Sequence, residues 1–125
     1  LTWLFGKVQH VEVHRRDDTV AAGYLHLEQA KIKWFLSVDV NFVPAELRAQ
    51  GKRTFRSMQV DGQEIEFSDG FTELHTRVYE RTLAGNGFSL DDTYQAIAAV
   101  SKIRNLPLST NTATMHPFLL EKVGI

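Results

Sequence analysis

Four short stretches of the chain hold side chains whose types and spacing could do chemistry. His10-x-Glu12-x-His14 sets three potential metal ligands at alternate positions, so on a strand they share one face, a geometry that metals use. Polar residues must also alternate outward on any half-buried strand, and no further ligand cluster supports a metal, so the simpler expectation is a solvated strand face. Lys52, Arg53 and Arg56 gather cations where a loop enters a strand. Guanidinium groups suit carboxylate and phosphate oxygens, although a charged strand edge that resists aggregation uses the same residues. Gly85-Asn86-Gly87 has the composition of a phosphate loop, but it follows a helical pattern and lacks the third glycine of a dinucleotide fingerprint; a helix C-cap accounts for it. Ser68, His75 and the aspartates are not accompanied by the Gly-x-Ser-x-Gly turn of a nucleophile elbow. Ser68-Asp69-Gly70 reads instead as the cap of a following helix, and His75 as a surface or satisfied core histidine. From residue chemistry alone, no catalytic, cofactor or metal role is assigned.

The elements that must position these groups follow from periodicity. Ile32, Trp34, Leu36, Val38 and Val40 alternate with Lys33, Phe35, Ser37 and Asp39, which predicts a strand over 31–40 with one apolar face. Residues 20–28 predict its partner, joined through a turn near Gln29-Ala30, and 8–14 a third strand that ends at Arg15-Arg16-Asp17-Asp18. Pro44 suits the start of a helical turn within the 41–51 connection. Residues 53–60 and 63–67 predict a hairpin whose Asp61-Gly62 pair is favoured in a two-residue type I′ loop.

The period then changes. Phe71, Leu74, Val78 and Leu83 fall at helical spacing before Gly85-Asn86-Gly87. Ser89-Leu90-Asp91-Asp92 reads as an N-cap with acidic residues in the first turn. Ile97, Val100 and Ile103 continue as a buried stripe that Asn105 and Pro107 close. Residues 108–125 read as irregular until a last turn at Phe118-Leu119-Leu120. Strands first and helices after predict an α+β domain over residues 1–125, a single mostly antiparallel sheet of about five strands with two helices on one face. Tyr24, Phe35 and Phe55 would leave aromatic surface on the opposite face, which suggests a homo-oligomer built sheet against sheet.

Composition narrows the function classes. The chain has 125 residues, 14 basic against 15 acidic, 43% hydrophobic content and no cysteine, which suits one ordinary globular domain without disulfides or thiolate chemistry. A net charge of −1 gives no electrostatic reason to expect nucleic acid or an anionic membrane as partner. No apolar run approaches the roughly 20 residues of a membrane helix. A start at Leu1 rather than methionine is in keeping with a fragment.

Four segments carry a family resemblance: W-F-L-S-V-D-V-N (34–41), G-K-R-T-F-R-S (51–57), V-D-G-Q-E-I-E-F-S-D-G-F-T-E-L-H-T-R-V-Y-E (60–80) and G-F-S-L-D-D (87–92). Together, and in this order, they resemble the C-terminal domain of UDP-N-acetylglucosaminuronic acid 3-dehydrogenases, members of the Gfo/Idh/MocA oxidoreductase superfamily that serve lipopolysaccharide O-antigen biosynthesis. The resemblance spans about Leu1 to Leu106. It implies a cytoplasmic enzyme in which a Rossmann domain holds NAD while the sheet domain supplies the substrate wall and the oligomer contact. The family's glycine fingerprint, proton-transfer lysine and proton-transfer histidine would all lie upstream of Leu1. The chain alone is therefore expected to be inactive and to bind no cofactor. What carries over is a substrate cleft bordered by the 51–57 loop and the 71–75 helix start. Arg53 and Arg56 are expected to meet the anionic parts of a UDP-uronic acid, and Phe71 and His75 to pack against the sugar or the neighbouring loop. Another sugar or inositol dehydrogenase of the superfamily, or a free-standing dimerisation or ligand-binding module, would share much of this pattern.

Overall fold

The computed structural model describes residues 1–68, 74–87 and 89–123. In chain order the elements are α1 (Thr2–Phe5), β1 (Val8–Arg16), β2 (Val20–Leu27), β3 (Lys31–Ser37), a 3-10 turn (Val40–Phe42), α2 (Ala45–Ala49), β4 (Ser57–Val60), β5 (Gln63–Glu66), α3 (Leu74–Leu83), α4 (Leu90–Asn105), a 3-10 turn (Thr112–Thr114) and α5 (Pro117–Val123). The chain divides into two compact units, Leu1–Val38 with Ser89–Ile125, and Asp39–Phe88.

The first unit is built on the antiparallel sheet β1-β2-β3. Asp17 closes the β1–β2 turn: one carboxylate oxygen accepts the Thr19 and Val20 N–H groups, each at 2.9 Å, and the other accepts Arg15 Nε at 2.6 Å. These bonds, led by that from Thr19, hold the Asp17 carboxyl well below the usual carboxylate range. Leu27 N–H donating to Ala30 O at 2.8 Å forms the expected turn into β3. Register then sorts the side chains. Val11 lies across from Leu25 and Leu25 from Ile32, while Gly23 lies between Val13 and Trp34. Val11, Val13, Leu25 and Leu27 are the buried centre of that face, with Ile32, Trp34 and, from α4, Ile103 and Leu106 packed against it. Gly23 is needed there. An added Cβ would run into the Glu12 carbonyl oxygen and come within 2.8 Å of Trp34 Cζ2, because the indole lies over the glycine.

Strand β3 ends at Ser37, earlier than its alternation suggests, and Leu36 is 66% exposed. Helix α4 also departs from the expected buried stripe. Ile97 and Val100 are 61% and 53% exposed, and the buried residue is Ala99. The helix meets the sheet through its C-terminal end, where Arg16 Nη1 donates to the Ile103 and Leu106 carbonyl oxygens at 2.7 and 2.9 Å. Its N-terminal end is capped as predicted: the Asp92 carboxylate accepts the Ser89 N–H at 2.7 Å and the Ser89 hydroxyl at 3.2 Å.

The opposite sheet face is not the open aromatic surface expected. The C-terminal segment, read as irregular, runs beside β1: Leu108 bridges Val13 in parallel, and Ser109 N–H donates to Val13 O at 2.7 Å. Beyond it Leu119 is buried and Phe118 meets Phe35 edge-on at 5.2 Å. Val20 and Ala22, which share that face with Phe35, are buried.

The second unit holds the hairpin β4–β5, paired from Ser57 with Glu66 to Val60 with Gln63. Asp61 and Gly62 both have positive φ, 50° and 83°, as a type I′ turn requires. Helix α3 ends in the motif its glycines predict. Gly85 has φ 81°, with Gly85 N–H donating to Thr82 O at 3.1 Å and Asn86 N–H to Arg81 O at 2.9 Å, the two bonds of a Schellman turn. The fold is thus α+β and antiparallel as expected, but its five strands form a three-stranded and a two-stranded sheet rather than one. After β3 the chain continues through Asp39, whose side chain accepts Asn41 N–H at 2.9 Å, and Pro44, which precedes α2. The described hairpin pairs only with itself. Helix α3 lies in this second unit with none of its residues buried, and within the first unit α4 packs against the sheet.

Candidate functional site

Of the sequence-predicted substrate residues, Arg53, Arg56 and His75 fall in the second unit. Arg53 stands on the exposed approach to β4, and its guanidinium has no hydrogen bond or ion pair among the described residues. Arg56 is tied down. Its N–H donates to Ser68 Oγ at 2.8 Å and its Nη1 to Ser68 O at 3.3 Å, while Phe67 N–H donates to Arg56 O at 2.9 Å. The Ser68 hydroxyl thus extends the β4–β5 hairpin; Asp69, Gly70 and Phe71 lie outside the described residues. His75 lies exposed on α3.

A second polar cluster was only half legible. Glu12 Oε1 accepts Ser109 Oγ at 3.1 Å and Asn111 Nδ2 at 3.2 Å, and Glu12 Oε2 lies 3.4 Å from His10 Nε2. His14 Nε2 meets Thr114 Oγ1 at 3.1 Å, and its Nδ1 is buried without a partner among the described residues. The His14 side chain is 0% exposed and that of Glu12 12%. Two local causes place them there. A bulge between Val13 and Arg15 leaves His14 as the extra residue of β1, and the 109–114 segment covers that edge. At Glu12 and His14 the strand face is therefore shielded, while His10 stays exposed. Among the described residues no group of three or more His, Asp or Glu is placed to hold an ion, and Glu12 is already engaged by Ser109 and Asn111 and His14 by Thr114.

Electrostatics follow the burial. Burial pushes the Glu12 carboxyl up, but hydrogen bonds from Asn111, Ser109 and Thr114, with His10 beside it, hold it below its usual range. Burial pushes His14 down; Glu12 opposes this and Lys33 adds to it. His116 is pushed down by burial and then by Lys33, against Glu121. The polar run Ser109-Thr110-Asn111-Thr112 carried no hint of its partner, because the contact joins residues about a hundred positions apart in sequence. With its buried imidazole and saturated carboxylate, the cluster fastens the tail and offers no surface to a substrate. The described residues also provide no dinucleotide cradle, since Gly85 belongs to the helix-ending turn. The exposed cationic approach to β4 is the better candidate for a ligand contact.

No family model matches the chain. Among solved structures, the WlbA (WbpB) dehydrogenase from Thermus thermophilus in complex with NAD and α-ketoglutarate is 59% identical to it, with a TM-score of 0.88. The same dehydrogenase in complex with NAD and UDP-GlcNAcA is 57% identical, also with a TM-score of 0.88. Both comparisons cover 94% of this chain and 38% of the dehydrogenase, so the chain spans well under half of that protein's length. No helix among the described residues is long and apolar enough to cross a membrane. Across 94% of its residues the chain is a homologue of one part of the WlbA (WbpB) dehydrogenase, and the sugar-nucleotide dehydrogenase resemblance in its sequence is borne out.

Proposed function

We propose that this chain forms the substrate-side domain of an NAD-dependent dehydrogenase that oxidises the 3-hydroxyl of a UDP-N-acetyl-hexosaminuronic acid. The observation that carries the reading is 57% identity over 94% of the chain to a dehydrogenase solved with NAD and UDP-GlcNAcA. NAD supplies the hydride acceptor when it is bound to the complete enzyme. The part of this chain is to hold the substrate's anionic groups. Arg53 offers a free guanidinium for the carboxylate or pyrophosphate, Arg56 a partly committed one, and Phe71 and His75 are the proposed neighbours of the sugar. The complete polypeptide containing this chain should reduce NAD in the presence of UDP-GlcNAcA, followed by the absorbance of NADH. Turnover of inositol or a simple sugar, with none of UDP-GlcNAcA, would refute the assignment.

The reading extends to assembly. Leu36 and Val38 leave the end of the sheet apolar and exposed, and β3 is an edge strand of the three-stranded sheet, features that favour association of copies through the sheet. Light scattering of the chain at high micromolar concentration should give a mass above that of one copy; a single-copy mass would remove this part of the proposal.

A further inference from the structure

We propose that residues 107–121 form a strap over the β1–β3 sheet, fastened by two neutral histidines, His14 and His116, which opens locally when both take up protons. The hydrogen-bond geometry favours the neutral form of both rings. Thr114 Oγ1 lies 3.2 Å from the Asn111 carbonyl oxygen and directs its one proton there, or to the Glu12 carboxylate, so toward His14 it acts as acceptor. His14 Nε2 then carries the hydrogen, at 3.1 Å from Thr114 Oγ1, and Nδ1 is left bare and buried with no partner among the described residues. Protonation would create a buried N–H with nothing to receive it, the costly case for a polar group. At the other end of the strap Phe118 N–H donates to His116 Nδ1 at 3.2 Å. A proton on that nitrogen removes the acceptor that starts α5. The His116 ring also lies against Phe35 and Phe118, with centroids 5.5 and 4.9 Å away.

The charged groups facing these rings do not rescue the protonated forms. His14 is faced by Glu12 on its own strand and by Lys33 from β3, while the strap opposes it with the uncharged Ser109, Asn111 and Thr114. Glu12 is already shared between Ser109, Asn111 and the exposed His10. His116 is faced by Lys33 from β3 and by Glu121 from α5, and burial is the largest influence on it. For both histidines the folded state therefore prefers the neutral ring, and burial sets that preference. Their contribution is complete above the ordinary imidazole value of 6.5 and is lost as the pH falls below it. Opening would uncover Phe35, whose ring packs against His116 and Phe118.

Amide hydrogen exchange on this chain tests the proposal. Between about pH 7.5 and about pH 5, after correction for intrinsic exchange, protection of the Ser109 and Leu119 amides should fall by at least about tenfold relative to the Leu25 amide of β2. The double variant His14→Gln, His116→Asn keeps a donor toward Thr114 and an acceptor toward Phe118 but cannot titrate, and should lose that pH dependence. Should this variant fail to fold, proton NMR of the unaltered chain decides: His14 and His116 should titrate below the ordinary imidazole value of 6.5. A strap-to-β2 protection ratio that does not change with pH would overturn the proposal. So would pH-dependent opening that persists in the folded variant, or titration of His14 and His116 at or above that ordinary value.

Discussion

Glu12 shows how one carboxylate can hold a distant segment. Its Oε1 accepts from Ser109 and Asn111, and the positions two residues to either side of it on the strand, His10 and His14, are both histidines. Replacing it with alanine leaves two donors without their acceptor, and unfolding in urea should show a loss of about 1–3 kcal/mol. The pH dependence has its own sign and window. Because the folded Glu12 carboxyl lies below its ordinary value of 4.5, its contribution is present above that pH and is lost as the pH falls through the folded value. The two histidines act earlier, below 6.5. Acid titration of the wild-type chain should therefore show strap loosening before the Glu12 contribution is lost, and Glu12→Gln should remove the later phase and, by taking away the charge that opposes burial at His14, move the earlier phase to lower pH. The arginines separate in a different way. In the complete enzyme Arg53→Ala should raise KM for UDP-GlcNAcA by about tenfold or more, the scale of one charge-assisted hydrogen bond. Arg56→Ala should raise KM or lower kcat/KM as well, and should also loosen the hairpin through Ser68, seen as faster amide exchange at Phe67. Unchanged kinetics in both variants would remove the arginines from the site.

Among the elements, the sheet depends on one close approach and α4 on one cap. Gly23 allows the Trp34 indole to lie flat against the β2 backbone, so Gly23→Ala forces the indole or the strand to shift. A cost of about 1–3 kcal/mol is expected, the range for overpacking, read from the denaturation midpoint with Trp34 fluorescence as a local probe. The Ser89–Asp92 box satisfies the start of α4, which buries only Ala99 along its length. A helix with so few buried contacts leans more heavily on its ends. Asp92→Ala should cost about 0.5–2 kcal/mol, with fraying seen first in the amides of the opening turn.

At the scale of the molecule, a chain that matches 38% of a dehydrogenase and carries no dinucleotide cradle among its described residues should show no heat of NAD or NADH binding in isothermal titration. Micromolar affinity would place a cofactor site within this chain and overturn its assignment to the substrate side. The division into two units gives a further reason to test the arginines in the complete enzyme. They belong to the hairpin unit, and their expected ligand is defined by the whole protein.

Local chemistry determined much of this chain before any tertiary contact was known. The three antiparallel strands, the Asp61-Gly62 turn, the Schellman end of α3 and the N-cap of α4 each depend on a few adjacent residues whose conformational preferences read directly from sequence. The ordered likeness of four segments likewise identified the dehydrogenase relationship. Tertiary structure decided what covers what. Alternation assigns residues to two faces of a strand but does not say which face stays dry, so the tail over Phe35, the burial of His14 and the exposure of Ile97 and Val100 were not legible. A bulge at His14, a parallel bridge at Leu108 and hydrogen bonds across about a hundred residues are long-range choices among similar local patterns. They are settled only when the competing surfaces meet and the best-satisfied packing excludes water.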